Sequence, residues 1–595
     1  MLDDQDQISI LRNPWTIDLI SESNYPQRAP LEIEIYGITD PGPWAQLADL
    51  QPALPPAREL PDITGNTSSE AAFRVIEGWI QTCDRDHMCR GDDEGFLPNR
   101  VLDVGGCGVG FYIHLSDVIE HSIDGGNYVC LSHCWGPAGG EGLLKTTRRN
   151  IRQLSATIDW NALPRTYQDA ILVTRRLGIR FLWIDSLCII QDDDEDWRME
   201  SSLMGDIYHH AYVTLAASKC TGPHDGLFTT APQEYKLLTL HSMNVLGMDG
   251  EARTRRKIAH LESHNAFPLM RRGWVFQERI LSRRVIHFAA HELIWECMNG
   301  ETCECSFVSG SFDPGYGFAS KSFYESNNTT LGHLRAAWCK IVVEYTTLQL
   351  TFEKDIFPAL SGIANRHLAA RQKIEPTEQY IAGMWLTSFP WDLMWHTPPY
   401  RTRLPGEGSM YELSTRPQTY RAPSWSWAAI KTGVIYDTQH TFDFTFDVPD
   451  IQLKAMAGGT GEIEQGAKLI LSGEIGSVEV QKQERLHGAI GVETRLYYLD
   501  QDLEFIVYPD YDFWTHSNHE ILEGHTLKCF KMGTAYKLKE NTGTWFMILN
   551  QSGQTKDTYV RVGLAYLPTK DGEIKNEIQA AFLNSIEKVV DLIIL

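Results

Sequence analysis

Between Tyr128 and Ala217, short and almost fully apolar runs alternate with stretches of helical periodicity. Few architectures accept that alternation. YVCLSHCW (128–135) reads as a short strand, ended by Gly136–Pro137 and the flexible Gly139–Gly140. Pro164 fits the first turn of a helix whose inward face is Tyr167, Ala170, Ile171, Thr174 and Leu177, and Gly178 ends it. RFLWIDSLCII (180–190) is near-continuously apolar, as expected of a strand buried on both sheet faces. Asp192, Asp193, Asp194 and Glu195 then crowd the positive end of a helix with Trp197, Met204, Ile207 and Tyr208 inward. Tyr212 to Ala217 supplies a third strand. Strand, helix, strand, helix, strand specifies an α/β fold with a doubly wound parallel sheet.

The flanks read differently. Residues 1–70 are rich in Pro, Asp and polar side chains, and QPALPPARELPD (51–62) marks a loop or linker. A helix is expected from Ser69, with Phe73, Ile76 and Ile80 on one face. Arg100–Val104 and Phe111–Leu115 read as two strands around a glycine-rich turn. Residues 221–268 look irregular and insertion-like. RRGWVFQERILSRR (271–284) reads as a helix and VIHFAAHELIWEC (285–297) as a strand hairpin. Helical patterns fill roughly 330–396, around DIFPALSGIANR and YIAGMWLTSFPWDLMW. From Ala422 short β-like runs dominate: SWSWAAI, KLILSGEI, FIVYP, TWFMIL and YVRVGLAYL, which suit a sandwich or a partly closed barrel. The expected division is 1–125, an N-terminal region with a helix and a β-hairpin; 126–300, the α/β core; 301–405, helical; and 406–595, β-rich.

Charge and cysteine content narrow the function. Fifty-three Lys and Arg stand against 77 Asp and Glu in 595 residues, a net charge of -24, which repels phosphate backbones and disfavours nucleic acid as a partner. The start, MLDDQDQISILRNPW, lacks the basic and apolar regions of a signal peptide, and no apolar stretch reaches the ~20 residues of a membrane span. Twelve cysteines are too sparse for a disulfide scaffold. A cytoplasmic protein with reduced thiols and no membrane span is expected.

Several motifs invite a chemical reading. VLDVGGCGVGF (101–111) has glycines after a strand, but the continuation FYIHLSDVI reads as strand rather than helix, so a glycine hairpin is preferred to a nucleotide loop. Cys83, His87 and Cys89 sit close together after a helix; Cys297, Cys303 or Cys305 could complete a zinc set in space. Their spacing matches no standard knuckle pair, so buried thiols beside a loop histidine are preferred to a metal. HELIWEC has no second histidine at helical spacing and is not a zinc-protease signature. Cys188, inside an apolar run, reads as inert core. Asp185 is more informative, because a carboxylate inside LWIDSLCII must be paired or functional. Ser132, His133 and Trp135, ending the preceding strand, would face the same crevice. Glu278 lies four residues after Trp274, on the same helical face. If recessed beside the indole it could do acid/base or cation-stabilising work; otherwise it is an exposed partner of Arg279, Arg283 or Arg284.

Three blocks in order carry a family resemblance: YVCLSHCWG, then LPRTYQDAILVTRRLGIRFLWIDSLCIIQDDDEDWRMESSLMGDIYHHAYVTLAAS, then RGWVFQERILSRRVIHFAAHELIWEC. Over about 128–297 the chain resembles the fungal heterokaryon-incompatibility (HET) domain. WIQTCDRDHMC, LPNRVLDVG, DIFPALSGIA and APSWSWAA are similar to segments around HET domains in longer members. The resemblance implies nonself recognition in which fusion of unlike hyphae triggers cell death. HET domains are in turn remotely similar to Toll/interleukin-1 receptor (TIR) domains, some of which cleave NAD⁺ with the glutamate of a W-x-x-x-E helix. Trp274 to Glu278 has that spacing.

The resemblance therefore implies a TIR-like core with NAD⁺ as a substrate. Glu278 would be the catalytic carboxylate with Asp185 beside it, Ser132, Trp135 and Trp274 would shape the pocket, and Arg272 would hold a phosphate. It equally admits a non-catalytic scaffold that self-associates or binds a polymorphic protein partner, or an accessory protein of a secondary-metabolite gene cluster.

Overall fold

Two units divide the chain: Met1–Tyr316 with Ser320–Ser322, and Gly317–Ala319 with Phe323–Leu595. The computed structural model describes residues 61–595 apart from 88, 90–94, 106–111, 124, 137–139, 141, 246–247, 262–265, 307–308, 311–320, 322–328, 399–413, 438–439, 454–462, 485–491, 515–520, 538–539, 554–556, 570–573 and 575. Before residue 61 it describes three strands, β1 (Gln7–Ile10), β2 (Thr16–Ile20) and β3 (Leu31–Ile38). The turn at 106–110, Pro137 to Gly139 and most of the 51–62 linker therefore lie outside the described residues. No helix among the described residues is long and apolar enough to cross a membrane.

In the first unit α1 (Glu70–Asp86) starts where its sequence predicts. The Ala72 N–H donates to Ser69 Oγ at 3.1 Å, and Phe73, Ile76 and Ile80 are buried. Strands β4 (Arg100–Asp103) and β5 (His114–Asp117) form the expected antiparallel pair. Then follow β6 (Tyr128–Ser132), α2 (Ile151–Ala156), α3 (Arg165–Arg176), β7 (Phe181–Trp183), α4 (Asp185–Cys188), α5 (Asp194–His210) and β8 (Val213–Ala216). After β9 (Leu238–Val245) and β10 (Met248–Arg256) come α6 (Gly273–Leu281), β11 (Arg284–Phe288), β12 (Leu293–Cys297), β13 (Gly300–Cys303) and β14 (Ser309–Gly310).

Nine strands join one mixed sheet in the order β14-β13-β12-β11-β8-β6-β7-β4-β5. The inner four, β7, β6, β8 and β11, run parallel, and every residue of β6 is buried. From β6 the chain passes to β7 on one side, then to β8 on the other. Successive connections diverge there, and such sheets open a crevice beyond the carboxyl ends of those strands.

Two readings need correction. The apolar run 180–190 is not one strand, because only Phe181–Trp183 pairs as a strand and Asp185–Cys188 forms a helical turn. The Asp185 carboxylate accepts the Ser186 N–H at 2.6 Å, and the Cys188 N–H returns to the Ile184 carbonyl at 2.8 Å, so local hydrogen bonds displace strand pairing. The segment 221–268, irregular by its sequence pattern, contains the β9–β10 hairpin, and β10 pairs antiparallel with β3.

The second unit is rich in β structure, with helices at Leu331–Tyr345 and Ser361–Gln372. Strands Lys468–Glu484, Thr526–Lys537, Glu540–Gln551, Thr558–Pro568 and Glu587–Ile594 pair in sequence, and the last pairs back to the first. The five close a ring. SWSWAAI is not a strand: Trp427–Ala429 is one turn of 3-10 helix, capped by Ser426 accepting the Ala428 N–H. YIAGMWLTSFPWDLMW is a hairpin of two-residue strands, a 3-10 turn at Leu386–Ser388 and a short α-helix at Phe389–Asp392.

A buried ionic network fixes α6 against the antiparallel side of the first sheet. Arg279 donates through Nε to Glu296 Oε2 at 2.9 Å; His287 Nε2 lies 3.1 Å and Lys321 Nζ 3.8 Å from the same oxygen. All four are buried. Burial alone would push the Glu296 carboxyl up, but Arg279, Lys321 and His287 outweigh it and hold the group well below the usual carboxylate range. Lys321 also donates to the Arg279 and Ser282 carbonyls at 2.6 and 2.7 Å, closing the carboxyl end of α6. Removing the carboxylate strands buried cations, so Glu296→Gln is expected to destabilise the first unit by about 3–5 kcal/mol. The urea midpoint of the purified chain measures this, and an unchanged midpoint would refute the account.

Candidate functional site

Beyond the carboxyl end of β6 the chain brings together residues that are 146 apart in sequence. Ser132 closes the strand, and its Oγ donates to Glu278 Oε2 at 2.5 Å. Glu278 reaches this point because α6 exposes almost nothing: every residue from Val275 to Leu281 is buried. The Tyr208 hydroxyl, from α5, lies within 3.3 Å of the Leu131 carbonyl and hydrogen-bonds the Glu278 carboxyl. Glu278 is 4% exposed. It is not the surface partner of a neighbouring arginine, for Arg279 pairs with Glu296 and Arg284 with Asp84.

Asp185 begins α4, immediately past β7. Its Oδ2 accepts the Trp135 indole N–H at 2.8 Å, and its Oδ1 lies 3.8 Å from His133 Nδ1. The far side of the His133 ring, Nε2, meets the Tyr167 hydroxyl at 2.8 Å, which meets Ser186 Oγ at 2.7 Å. Arg272, at the amino end of α6, donates from Nη1 to the His133 carbonyl. Glu278, Ser132 and His133 are thus buried, while Asp185, Trp135, Arg272 and Trp274 remain half-buried. Trp274 meets Trp197 edge to face, with ring centroids 6.2 Å apart.

The electrostatics follow from this placement. Burial, then repulsion from Asp185, raise the Glu278 carboxyl from 4.5 to about 7, against the opposing pull of Ser132, Arg272 and Tyr208. Burial also lowers His133 to about 4, against the attraction of Asp185, so its imidazole is neutral at pH 7. A carboxylic acid poised near neutrality can exchange a proton or carry a charge as its surroundings demand. Cys188 does neither; burial pushes its thiol up to about 12.

The six side chains expected to act together, Glu278, Asp185, Ser132, Trp135, Arg272 and Trp274, all lie on the elements that meet at this edge of the sheet. Sequence reasoning missed the Tyr208–Glu278 contact and the His133–Tyr167–Ser186 chain. The signal was the inward placement of both tyrosines, whose hydroxyls need partners when buried. Cys83, His87 and Cys89 lie apart from this site, and Cys297 joins them there.

Residues 128–278 match the family model described as heterokaryon incompatibility protein (HET). The matched segment begins at β6 and ends on Glu278, so it carries the whole of the site. Comparisons with curated proteins and with solved structures return no match.

The Glu278 shift has a sign in stability. As pH rises from 4.5 to about 7 the unfolded chain sheds this proton first, so folding stability falls across that window by about 3 kcal/mol. Glu278→Gln, neutral at every pH, is expected to lack that decline and to be the more stable form at pH 8 but not at pH 4. Denaturation curves at pH 4, 6 and 8 measure it, and parallel pH profiles for the two proteins would remove the buried-acid assignment.

Proposed function

We propose that the HET segment is the effector of a heterokaryon-incompatibility-type response, and that its acidic site cleaves the bond between nicotinamide and ribose in NAD⁺. The observation that carries this reading is the buried Glu278 carboxyl, held by Ser132 at the carboxyl end of β6 and brought near neutrality by burial and by the charge of Asp185. The second-first-third-fourth order of β7, β6, β8 and β11 supports a TIR-like, doubly wound core.

The chemistry balances with this chain's own groups. Breaking the C1′–N1 bond returns the bonding pair to the pyridinium nitrogen, so nicotinamide leaves neutral and needs no acid. The ribosyl cation left behind is stabilised by the ionised Glu278 carboxylate. Water then adds at C1′, and its proton passes to that carboxylate. Trp135 and Trp274 offer faces for the nicotinamide and Arg272 a donor for a phosphate. The protein acts in the cytoplasm and, in this reading, self-association opens the buried site.

Burial of Glu278 under Ser132 and Tyr208 favours a second reading, a non-catalytic scaffold that binds itself or a polymorphic partner. The accessory role in a secondary-metabolite cluster belongs with it.

Nicotinamide release from NAD⁺ by the full chain, with and without a crowding agent, separates these readings. The enzymatic reading expects turnover that falls about 100-fold or more in a folded Glu278→Gln variant. Because the ionised form acts, kcat/KM should rise with pH through about 7, and Asp185→Asn should move that rise to lower pH by removing the repulsion. Absence of turnover under every condition, with concentration-dependent self-association, would leave the scaffold.

A further inference from the structure

Two groups of soft ligand side chains lie outside the acidic site, one at each end of the β12–β13 hairpin. At the turn end, Cys83 in the last turn of α1, His87 at its C-cap and Cys89 just beyond converge on Cys297, the last residue of β12. At the open end, His260 meets Glu292, Cys303 and Cys305. In each group the four donor atoms lie within 4.8 Å of one another. His87 Nδ1 is 3.4 Å from Cys297 Sγ. His260 Nε2 is 3.1 Å from Glu292 Oε1 and 3.2 Å from Cys305 Sγ, which lies 3.2 Å from Cys303 Sγ and 3.5 Å from Glu292 Oε1.

With metal–sulfur bonds of about 2.3 Å and metal–nitrogen or metal–oxygen bonds of about 2.0 Å, neighbouring donors of a tetrahedral ion stand about 3.3–3.8 Å apart. The 3.4 and 3.5 Å separations lie in that window, and the three of 3.1–3.2 Å would widen by a few tenths of an ångström, the S–S pair most, to admit the ion. Thiols make weak hydrogen bonds, and packing alone gives no reason to gather three of them around one imidazole. All five cysteines are buried, and none is in a disulfide.

The surroundings of the first group point the same way. The Met298 N–H is directed at Cys89 Sγ and the Asn299 N–H at Cys297 Sγ, so the turn after β12 serves both sulfurs with backbone donors. Three thiolates and a neutral imidazole around a divalent cation carry one net negative charge. Arg284, 2% exposed, acts on Cys83 and buried Lys321 on Cys89 and Cys297, placing positive charge beside it. The second group, with two thiolates, a carboxylate and an imidazole, carries the same net charge and is buried throughout.

We propose that the protein binds two zinc-type divalent cations, one at Cys83, His87, Cys89 and Cys297 and one at His260, Glu292, Cys303 and Cys305. Four protein ligands at each leave no open coordination position, so both are structural. The first ties α1 to a strand 210 residues away, and long closures of this kind gain most from a fixed link.

Elemental analysis of the full chain, purified without chelator, tests the proposal. Two zinc ions per chain are expected, falling to one in Cys297→Ser, to one in Cys305→Ser and to none in the double variant. Cys339→Ser, a buried cysteine in neither group, should keep both. A chain that stays folded with no zinc, and takes none up when it is offered, overturns the proposal. Loss in only one of the two variants overturns the other site, and a Cys303–Cys305 disulfide in the native chain overturns the second. Should Cys297→Ser fail to fold, cobalt(II) exchange into the wild-type chain decides, since tetrahedral thiolate–cobalt charge-transfer bands are expected from both sites and their absence counts against them.

Discussion

The ion pair between Arg279 and Glu296 orders much of what surrounds the site. Its two charges are almost fully out of water, a situation tolerated only when each is satisfied at close range. Lys321 and His287 supply the remaining contacts, and Lys321 also caps the helix that carries the arginine. The helix is thereby held at its carboxyl end by charge, while Arg272 holds its amino end to the His133 carbonyl. Glu278, one residue before the pinned arginine, has little freedom to avoid Ser132. The site's geometry is thus inherited from a charge cluster that takes no part in its chemistry.

Much of this architecture is legible in the sequence, for reasons that can be named. The Ser69 cap, the spacing of Phe73, Ile76 and Ile80, and the strands on either side of the α3 helix are local signals, and local signals survive folding. The run at 180–190 misleads because strand burial and a buried helical turn share one apolar signature; the Asp185 carboxylate decides between them by satisfying a neighbouring backbone N–H. SWSWAAI alternates like a strand, yet the Trp427 indole donates to the Gly383 carbonyl, and Gly383 itself sits at φ +88 where a Cβ would stand 2.5 Å from that indole. The strands before residue 61 are illegible for another reason. β1 and β2 pair with their neighbours along the chain, but β3 takes its second partner, β10, from more than two hundred residues away, and no local pattern announces it.

The candidate site is legible residue by residue but not as a contact. Asp185 stands out as a carboxylate in an apolar run, a useful flag because burying charge without recompense is unfavourable; Ser132 is marked by its place at a strand end and Glu278 by its spacing from Trp274. What periodicity cannot supply is distance. The same limit applies to Cys83, His87 and Cys89, whose short spacing resembles no standard ligand pair until a fourth donor arrives from β12.

The nine-stranded sheet has short outer strands. At one margin β14 spans two residues, and at the other β5 spans four. Such stubs present few unpaired amide and carbonyl groups, so they make poor templates for adding a strand from another molecule. In the second unit the five-membered ring consumes its own margins altogether. The other sheet of the first unit differs, because its margins are β1 and the eight-residue β9, and the longer free edge among the described strands lies there. Strands at such a margin answer to hydrogen-bonding partners on one side only, so their sequences are held less tightly than those of the fully flanked β6 and β8.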